Sequence, residues 1–182
     1  MNILHIDSSI TGDASASREL TAAIVASLKD GNGDAEVTYR DLAAEPLSHL
    51  TLPAFGEEDS AEALAQFKAA DTVVIGAPMY NFTIPSQLKA WLDRLGVPGV
   101  TFQYSEAGPE GLAGGRKVVI ASARGGEYSN DQMAENQESL LTTFFGFIGV
   151  DDLHFVRVEK AGFGPDAIAA GMEAAKETIA KL

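Results

Sequence analysis

Three runs of this sequence combine residue types suited to holding a ligand. The first is Asp7-Ser8-Ser9-Ile10-Thr11-Gly12-Asp13-Ala14-Ser15-Ala16-Ser17, rich in hydroxyls and leading into a helical pattern. A helix N-terminus presents N–H groups without intrahelical partners and a partial positive charge, and both suit a phosphate. Ser9, Ser15 and Ser17 would add O–H donors. An ordinary serine cap accounts for the same run equally well. No Lys or Arg precedes Arg18, so an anion here would be held by neutral donors and the helix end. The run has neither G-x-G-x-x-G nor G-x-x-x-x-G-K-S/T, which argues against a dinucleotide or a nucleoside triphosphate.

The second run is Gly76-Ala77-Pro78-Met79-Tyr80-Asn81-Phe82-Thr83-Ile84-Pro85. A polar Asn between aromatics serves no packing purpose. A flat heteroaromatic ring needs stacking faces plus amide or backbone hydrogen bonds at its edge, and this run offers both. The third is Ser122-Ala123-Arg124-Gly125-Gly126, whose paired glycines let backbone approach a ligand closely or mark a plain flexible loop. Arg124 is the one cation expected at the site. Asn81-Phe82-Thr83 also matches a glycosylation acceptor, which carries no weight without secretion.

The elements that would position these runs alternate between strand and helix. Short apolar strands are expected at Ile3–Ile6, Ala35–Tyr39, Thr72–Ile75, Lys117–Ala121 and Leu153–Val158. Helices are expected at Ala14–Lys29, from an N-cap at Ser60 to Ala70, at Ile84–Leu95, over most of Gln132–Gly149, and at Pro165–Leu182. Leu42–Glu58 reads as a loop and Val97–Gly115 as an ordered excursion of hairpin type. The third and fourth strands are continuous β-branched runs, as in strands covered on both faces. The expected fold class is α/β: a flavodoxin-like three-layer sandwich with five parallel strands in the order 2-1-3-4-5. Ligands in such sheets bind beyond the carboxyl ends of strands one, three and four, where the three runs lie.

Length and composition agree with one domain spanning residues 1–182. With 26 Asp+Glu against 13 Lys+Arg, the formal charge is −13. That excess argues against nucleic acid and against anionic membranes as partners. The absence of cysteine excludes disulfide scaffolds, thiol catalysis and cysteine-ligated metal sites. The start of the chain has no basic n-region and no long apolar run, so a cytoplasmic location is the expectation. The three histidines, His5, His49 and His154, are too scattered for a metal site and read as structural or exposed. Trp91 shares a helical face with leucines and reads as core.

Taken in order, several motifs resemble the FMN-dependent NADH-azoreductase (NADH:quinone oxidoreductase) family of bacterial flavoenzymes over nearly the whole chain. They are Arg40-Asp41-Leu42-Ala43, Ala77-Pro78-Met79-Tyr80-Asn81-Phe82, Gly108-Pro109-Glu110-Gly111-Leu112, Arg124-Gly125-Gly126 and Phe145-Gly146-Phe147-Ile148-Gly149. The resemblance implies FMN, with its phosphate at Ser9, Ser15, Ala16 and Ser17. It places the isoalloxazine ring against Met79, Tyr80, Asn81 and Phe82 and against Ala123, Arg124, Gly125 and Gly126. It further implies a homodimer with active sites at the interface, where Asn81, Phe82, Tyr104 and Phe147 meet substrate. Ala123 stands where the family commonly has Ser. The chain looks shorter than the family between the second strand and second helix, and residues 127–138 match nothing in it.

The implied activity is ping-pong transfer of two electrons from NADH through FMN to quinones and aromatic azo compounds. The flavin carries the chemistry, so no catalytic side chain and no metal is expected. The rival reading is a flavodoxin-type electron carrier without NADH turnover. A receiver domain would need an Asp near the end of the third strand, where Ile75-Gly76-Ala77-Pro78 has none. A serine hydrolase would need a G-x-S-x-G elbow, which is absent.

Overall fold

The computed structural model describes residues 1–128 and 136–182. Five parallel strands form the main sheet: Asn2–Asp7 (β1), Glu36–Asp41 (β2), Thr72–Pro78 (β3), Lys117–Ala123 (β6) and Asp152–Val158 (β7). Phe102–Ser105 (β4) and Gly108–Gly111 (β5) pair antiparallel as a separate hairpin. The main sheet therefore runs β2-β1-β3-β6-β7. The expected numbering 2-1-3-4-5 is corrected here, because two hairpin strands intervene in sequence between the third and fourth strands of the sheet.

Five helices cover the sheet among the described residues: Ala16–Asp30 (α1), Glu58–Ala69 (α2), Ser86–Leu95 (α3), Glu138–Phe147 (α4) and Pro165–Ile179 (α5). One core joins Leu4, Ile6 and Ile75 of the sheet to Phe67, Trp91 and Phe145 on α2, α3 and α4. The other joins Ile3, Val74 and Val119 to Leu20, Ile24 and Ile179 on α1 and α5. Every residue of β3 is buried, as its unbroken apolar run predicts for a strand covered on both faces. Trp91 is wholly buried.

Local chemistry moves several element ends from their expected places. Helix α1 starts at Ala16, not Ala14, because the Ser15 hydroxyl accepts the Arg18 N–H and caps it. Helix α2 starts at Glu58. Ser60 lies inside its first turn and donates to the Ala54 carbonyl at 2.5 Å instead of capping. Helix α3 starts after Pro85, and α5 ends at Ile179. Residues 132–135 of the expected Gln132–Gly149 helix lie outside the described residues, and within the rest the helix runs over Glu138–Phe147, as α4. Strand β2 continues two residues past Tyr39, to Asp41.

The hairpin is fastened to the end of α4. The Ala113 N–H donates to the Ile148 carbonyl at 2.8 Å, and a Cβ on Gly111 would stand 2.1 Å from the Gly149 nitrogen. Only glycine permits that approach. Among the described residues, no helix is long and apolar enough to cross a membrane, and no group of three His, Asp or Glu is arranged for a metal ion.

Candidate functional site

The three runs converge beyond the carboxyl ends of β1, β3 and β6. They enclose a cavity of about 210 Å³ lined by Ser9, Ser15, Ala16, Ser17, Met79, Tyr80, Ala123, Arg124 and Gly125. The serine run caps a helix and also borders the cavity. Ser15 is the N-cap of α1, and its oxygen also lies 3.0 Å from that of Ser17. The N–H groups of Ala16 and Ser17 then stand at the open end of the helix, beside the cavity.

Tyr80 ties the second run to the first. Its hydroxyl lies 3.1 Å from the Ser9 hydroxyl and accepts the Ile10 N–H at 3.1 Å. Ser9 also pairs with Thr11 at 3.0 Å. Tyr80 is thus a polar brace as well as a ring. Beyond it the chain turns sharply: Tyr80 and Thr83 exchange backbone hydrogen bonds at 2.9 and 3.2 Å across Asn81 and Phe82. Both central residues have positive φ, 48° and 70°. These are the hallmarks of a two-residue mirror-image turn. Asn tolerates that conformation, whereas Phe is strained in it. The turn holds Phe82 54% exposed and sets Asn81 on a second, larger opening of about 570 Å³. Tyr80 lines both openings and is a wall shared between them. Asn81, Phe82 and Gly126 thus lie outside the walls of the smaller cavity.

The third run is tied down. Met79 N–H donates to the Ala123 carbonyl at 2.7 Å, joining the second and third runs. Arg124, Gly125 and Gly126 carbonyls accept from Ala161, Gly162 and Lys160 at 2.9, 3.0 and 2.8 Å. A Cβ on Gly162 would meet the Gly125 carbonyl oxygen at 2.9 Å, so the two loops are packed backbone to backbone. Arg124 lines the cavity with its charge paired to two carboxylates. It is 2.6 Å from Glu138 and 3.4 Å from Glu159, and the residue is almost fully buried.

Two groups of residues escaped the sequence reading. Gln137 is fully buried; its amide donates to the Ala77 carbonyl at 2.5 Å, and its oxygen accepts from Ser122 and Arg124 at 3.0 and 2.9 Å. It thereby joins the ends of β3 and β6. The second group lies under the serine run. Asp7 is buried and accepts from Thr21 at 2.9 Å and Tyr39 at 3.1 Å, with Arg18 3.8 Å away. Arg18 grips Asp41 with both arms, at 2.7 and 2.8 Å. Burial, then the nearby Asp7 carboxylate, pushes the Tyr39 hydroxyl up to about 12. The Arg18 hydrogen bond holds the Asp41 carboxyl below its ordinary value, against the effect of burial. Asp7 opens the first run and Asp41 lies inside Arg40-Asp41-Leu42-Ala43, but nothing in the sequence joined the two to Thr21 and Tyr39.

Tyr104 and Phe147 lie elsewhere in the same chain. Tyr104 is 76% exposed on the hairpin, and its ring meets Phe102 edge-on at 5.7 Å. Phe102 in turn packs on Phe147 at 4.6 Å. Phe147 belongs to an apolar groove of about 540 Å³ between α3 and α4, with Leu92, Leu140 and Phe144. The histidines sit apart: His5 is buried 3.5 Å from Asp7, His154 pairs with Asp152 at 2.6 Å, and His49 is exposed beside the larger opening.

An open parallel α/β sheet with hydroxyl, aromatic and glycine loops at its switch point defines a flavodoxin-like protein, and a family profile of that description, Flavodoxin-like fold, matches residues 1–182. The FMN-dependent NADH:quinone oxidoreductase of Sinorhizobium fredii is 52% identical over 198 residues, covering 100% of this chain and 96% of the relative. That of Azospirillum brasilense is 51% identical over 202 residues, covering 100% and 97%. A crystal structure of azoreductase from Bacillus anthracis superposes with a TM-score of 0.86 at 29% identity, covering 100% of both chains. The chain belongs to the FMN-dependent NADH:quinone oxidoreductase family.

Proposed function

We propose that this chain, as one flavodoxin-like unit, binds FMN at the junction of its three loops and uses NADH to reduce quinones and aromatic azo compounds. The observation that carries this reading is the cavity in which Ser9, Ser15 and Ser17 meet Met79, Tyr80, Ala123 and Gly125. Its donor set fits the cofactor. Hydroxyls and a helix end suit the phosphate, and on the other side of Tyr80 a larger opening lined by Asn81 offers a flat ring side-chain and backbone partners.

When bound, FMN supplies two-electron chemistry, first toward NADH and then toward the acceptor. The protein's part is positioning. Ser9, Ser15, Ser17 and the N–H groups of Ala16 and Ser17 hold the phosphate without a free cation nearby. Met79 and Tyr80 would hold the ring, and the backbone N–H groups of Gly125 and Gly126 would favour negative charge at its polar edge, the Arg124 N–H being given to the Val158 carbonyl at 2.9 Å. Replacement of the family's usual Ser by Ala123 removes one hydroxyl and leaves the backbone groups.

The reading includes a homodimer. The groove of Leu92, Leu140, Phe144 and Phe147 is an apolar surface next to the site, and burying it against a second copy would carry Tyr104 and Phe147 to the partner's acceptor side. It also includes a cytoplasmic setting, where a nicotinamide donor is available. The test is steady-state NADH consumption by purified, FMN-loaded protein with a small quinone. Turnover above the free-FMN background is expected. A flavin-binding protein that consumes no NADH would be an electron carrier instead.

A further inference from the structure

We propose that Arg18 is a positioning residue for the cofactor's phosphate, held in place by Asp41 and acting through the Ser9 carbonyl. The inference rests on the reading that the Ser9–Ser17 loop takes the phosphate. Arg18 does not line the cavity, and its guanidinium is engaged with protein groups. Its Nη2 donates both to the Ser9 carbonyl at 2.9 Å and to Asp41 Oδ1 at 2.8 Å. Its Nη1 lies 2.7 Å from Asp41 Oδ2 and donates to Tyr39 at 3.2 Å. Its backbone N–H is the one that Ser15 caps. One residue thus holds both ends of the loop, Ser9 by its side chain and Ser15 by its main chain.

Asp41 is itself immobilised. It accepts the N–H groups of Ala43 and Ala44 at 2.9 and 3.2 Å, and the Leu42 N–H donates to the Asp7 carbonyl at 2.8 Å. The motif Arg40-Asp41-Leu42-Ala43 therefore has a stated role: it ends β2 in a turn that aims a fixed carboxylate at Arg18. A planar guanidinium can bridge a carboxylate and a carbonyl in one plane, which an ammonium cannot. Asp41 and Asp7 take up the charge of Arg18, with Asp7 3.8 Å away. The arginine therefore contributes geometry, and the phosphate remains with neutral donors.

FMN and riboflavin differ only by the phosphate, so their relative affinities isolate this end of the site. Each is titrated into flavin-free protein by fluorescence quenching. Arg18→Gln is expected to weaken FMN about tenfold, the scale of one charged hydrogen bond, and to leave riboflavin within about twofold. Asp41→Asn should do the same more mildly, and Arg18→Lys should restore only part of the loss. Equal weakening of both flavins, or unchanged FMN affinity in folded Arg18→Lys and Arg18→Gln proteins, would overturn the proposal. The double variant Ser15→Ala/Ser17→Ala separates the two failures. If it leaves the FMN-to-riboflavin ratio unchanged, the phosphate reading fails and takes this inference with it. If it collapses the ratio while the Arg18 variants do not, only the inference fails.

Discussion

The two ends of the proposed flavin site are built differently. At the phosphate end, Ser9, Ser15, Ser17, Arg18, Asp41 and Tyr80 are joined by hydrogen bonds within one chain. At the acceptor end, Phe82 and Tyr104 are 54% and 76% exposed, and the groove beside them is apolar. Polar groups can be satisfied one by one by directed partners, so the first end is complete on its own. Exposed apolar surface is satisfied only by covering it, which in the proposed dimer falls to the second copy. Cofactor retention and acceptor turnover should then respond to different substitutions.

The largest expected effect tests that separation directly. Phe144→Glu puts a charge into the α3–α4 groove and, in the proposed dimer, does so twice, where interface anchors are each worth about 2 kcal/mol or more. Sedimentation should show a monomer, acceptor turnover should collapse, and bound FMN should stay. A parallel loss of FMN would break the comparison.

Gly76→Ala strikes the other end. A Cβ there would stand 2.8 Å from Asp7 Oδ1 and 3.2 Å from the Thr21 methyl carbon, against a buried network. Overpacking of this kind costs about 1–3 kcal/mol. A lower melting temperature and weaker FMN binding are expected with the oligomeric state unchanged, and an unaltered melting curve would count against the network's rigidity.

Asn81 lies on the boundary. Asn81→Ala places a less tolerant residue at φ 48° and removes the amide, a backbone cost of about 1–2 kcal/mol. FMN retention or the rate of flavin reduction by NADH should fall, while the fold persists. Asn81→Gly keeps the turn and deletes only the amide, so stopped-flow rates for the two variants divide backbone from side chain. Unchanged affinity and rate in both would remove Asn81 from the site.

The smallest effect is set by pH. Asp41 has its carboxyl held below the ordinary value, chiefly by Arg18. Its contribution is present above the unfolded value of about 4 and is lost as pH falls through the lower folded value. Free-flavin fluorescence should therefore rise only below about pH 4. Release in the neutral range would point to another group.

The fold and the cavity were legible where chemistry is local in sequence. Ser9, Met79, Tyr80 and Ala123 to Gly125 lie at or just past the end of a strand, Ser15 to Ser17 lie at the start of the helix that follows β1, and a strand's carboxyl end is where such sheets bind. Contacts between distant positions were not legible. Ser9 meets Tyr80 across 71 positions, and Gln137 meets Ala77 across 60. Nothing in either residue's neighbours announces that partner. Arg124 shows the same limit in reverse: its place beside the glycines was readable, but the carboxylates that take up its charge come from α4 and from beyond β7. The role of Asp41 hung on two residues of strand length, since ending β2 at Tyr39 leaves the carboxylate in an undefined loop.

The contact between Gly111 and Gly149 has a consequence for how acceptor range can change. With no space for a side chain on Gly111, the hairpin and the end of α4 cannot slide past one another. Tyr104 and Phe147, linked through Phe102, therefore form a single jaw whose spacing is set by backbone. If the proposed acceptor role holds, such a jaw would not adapt to a new acceptor by breathing; its selectivity should shift in steps, one side chain at a time at its tips, while length changes in the hairpin are penalised by the glycine contact at its base.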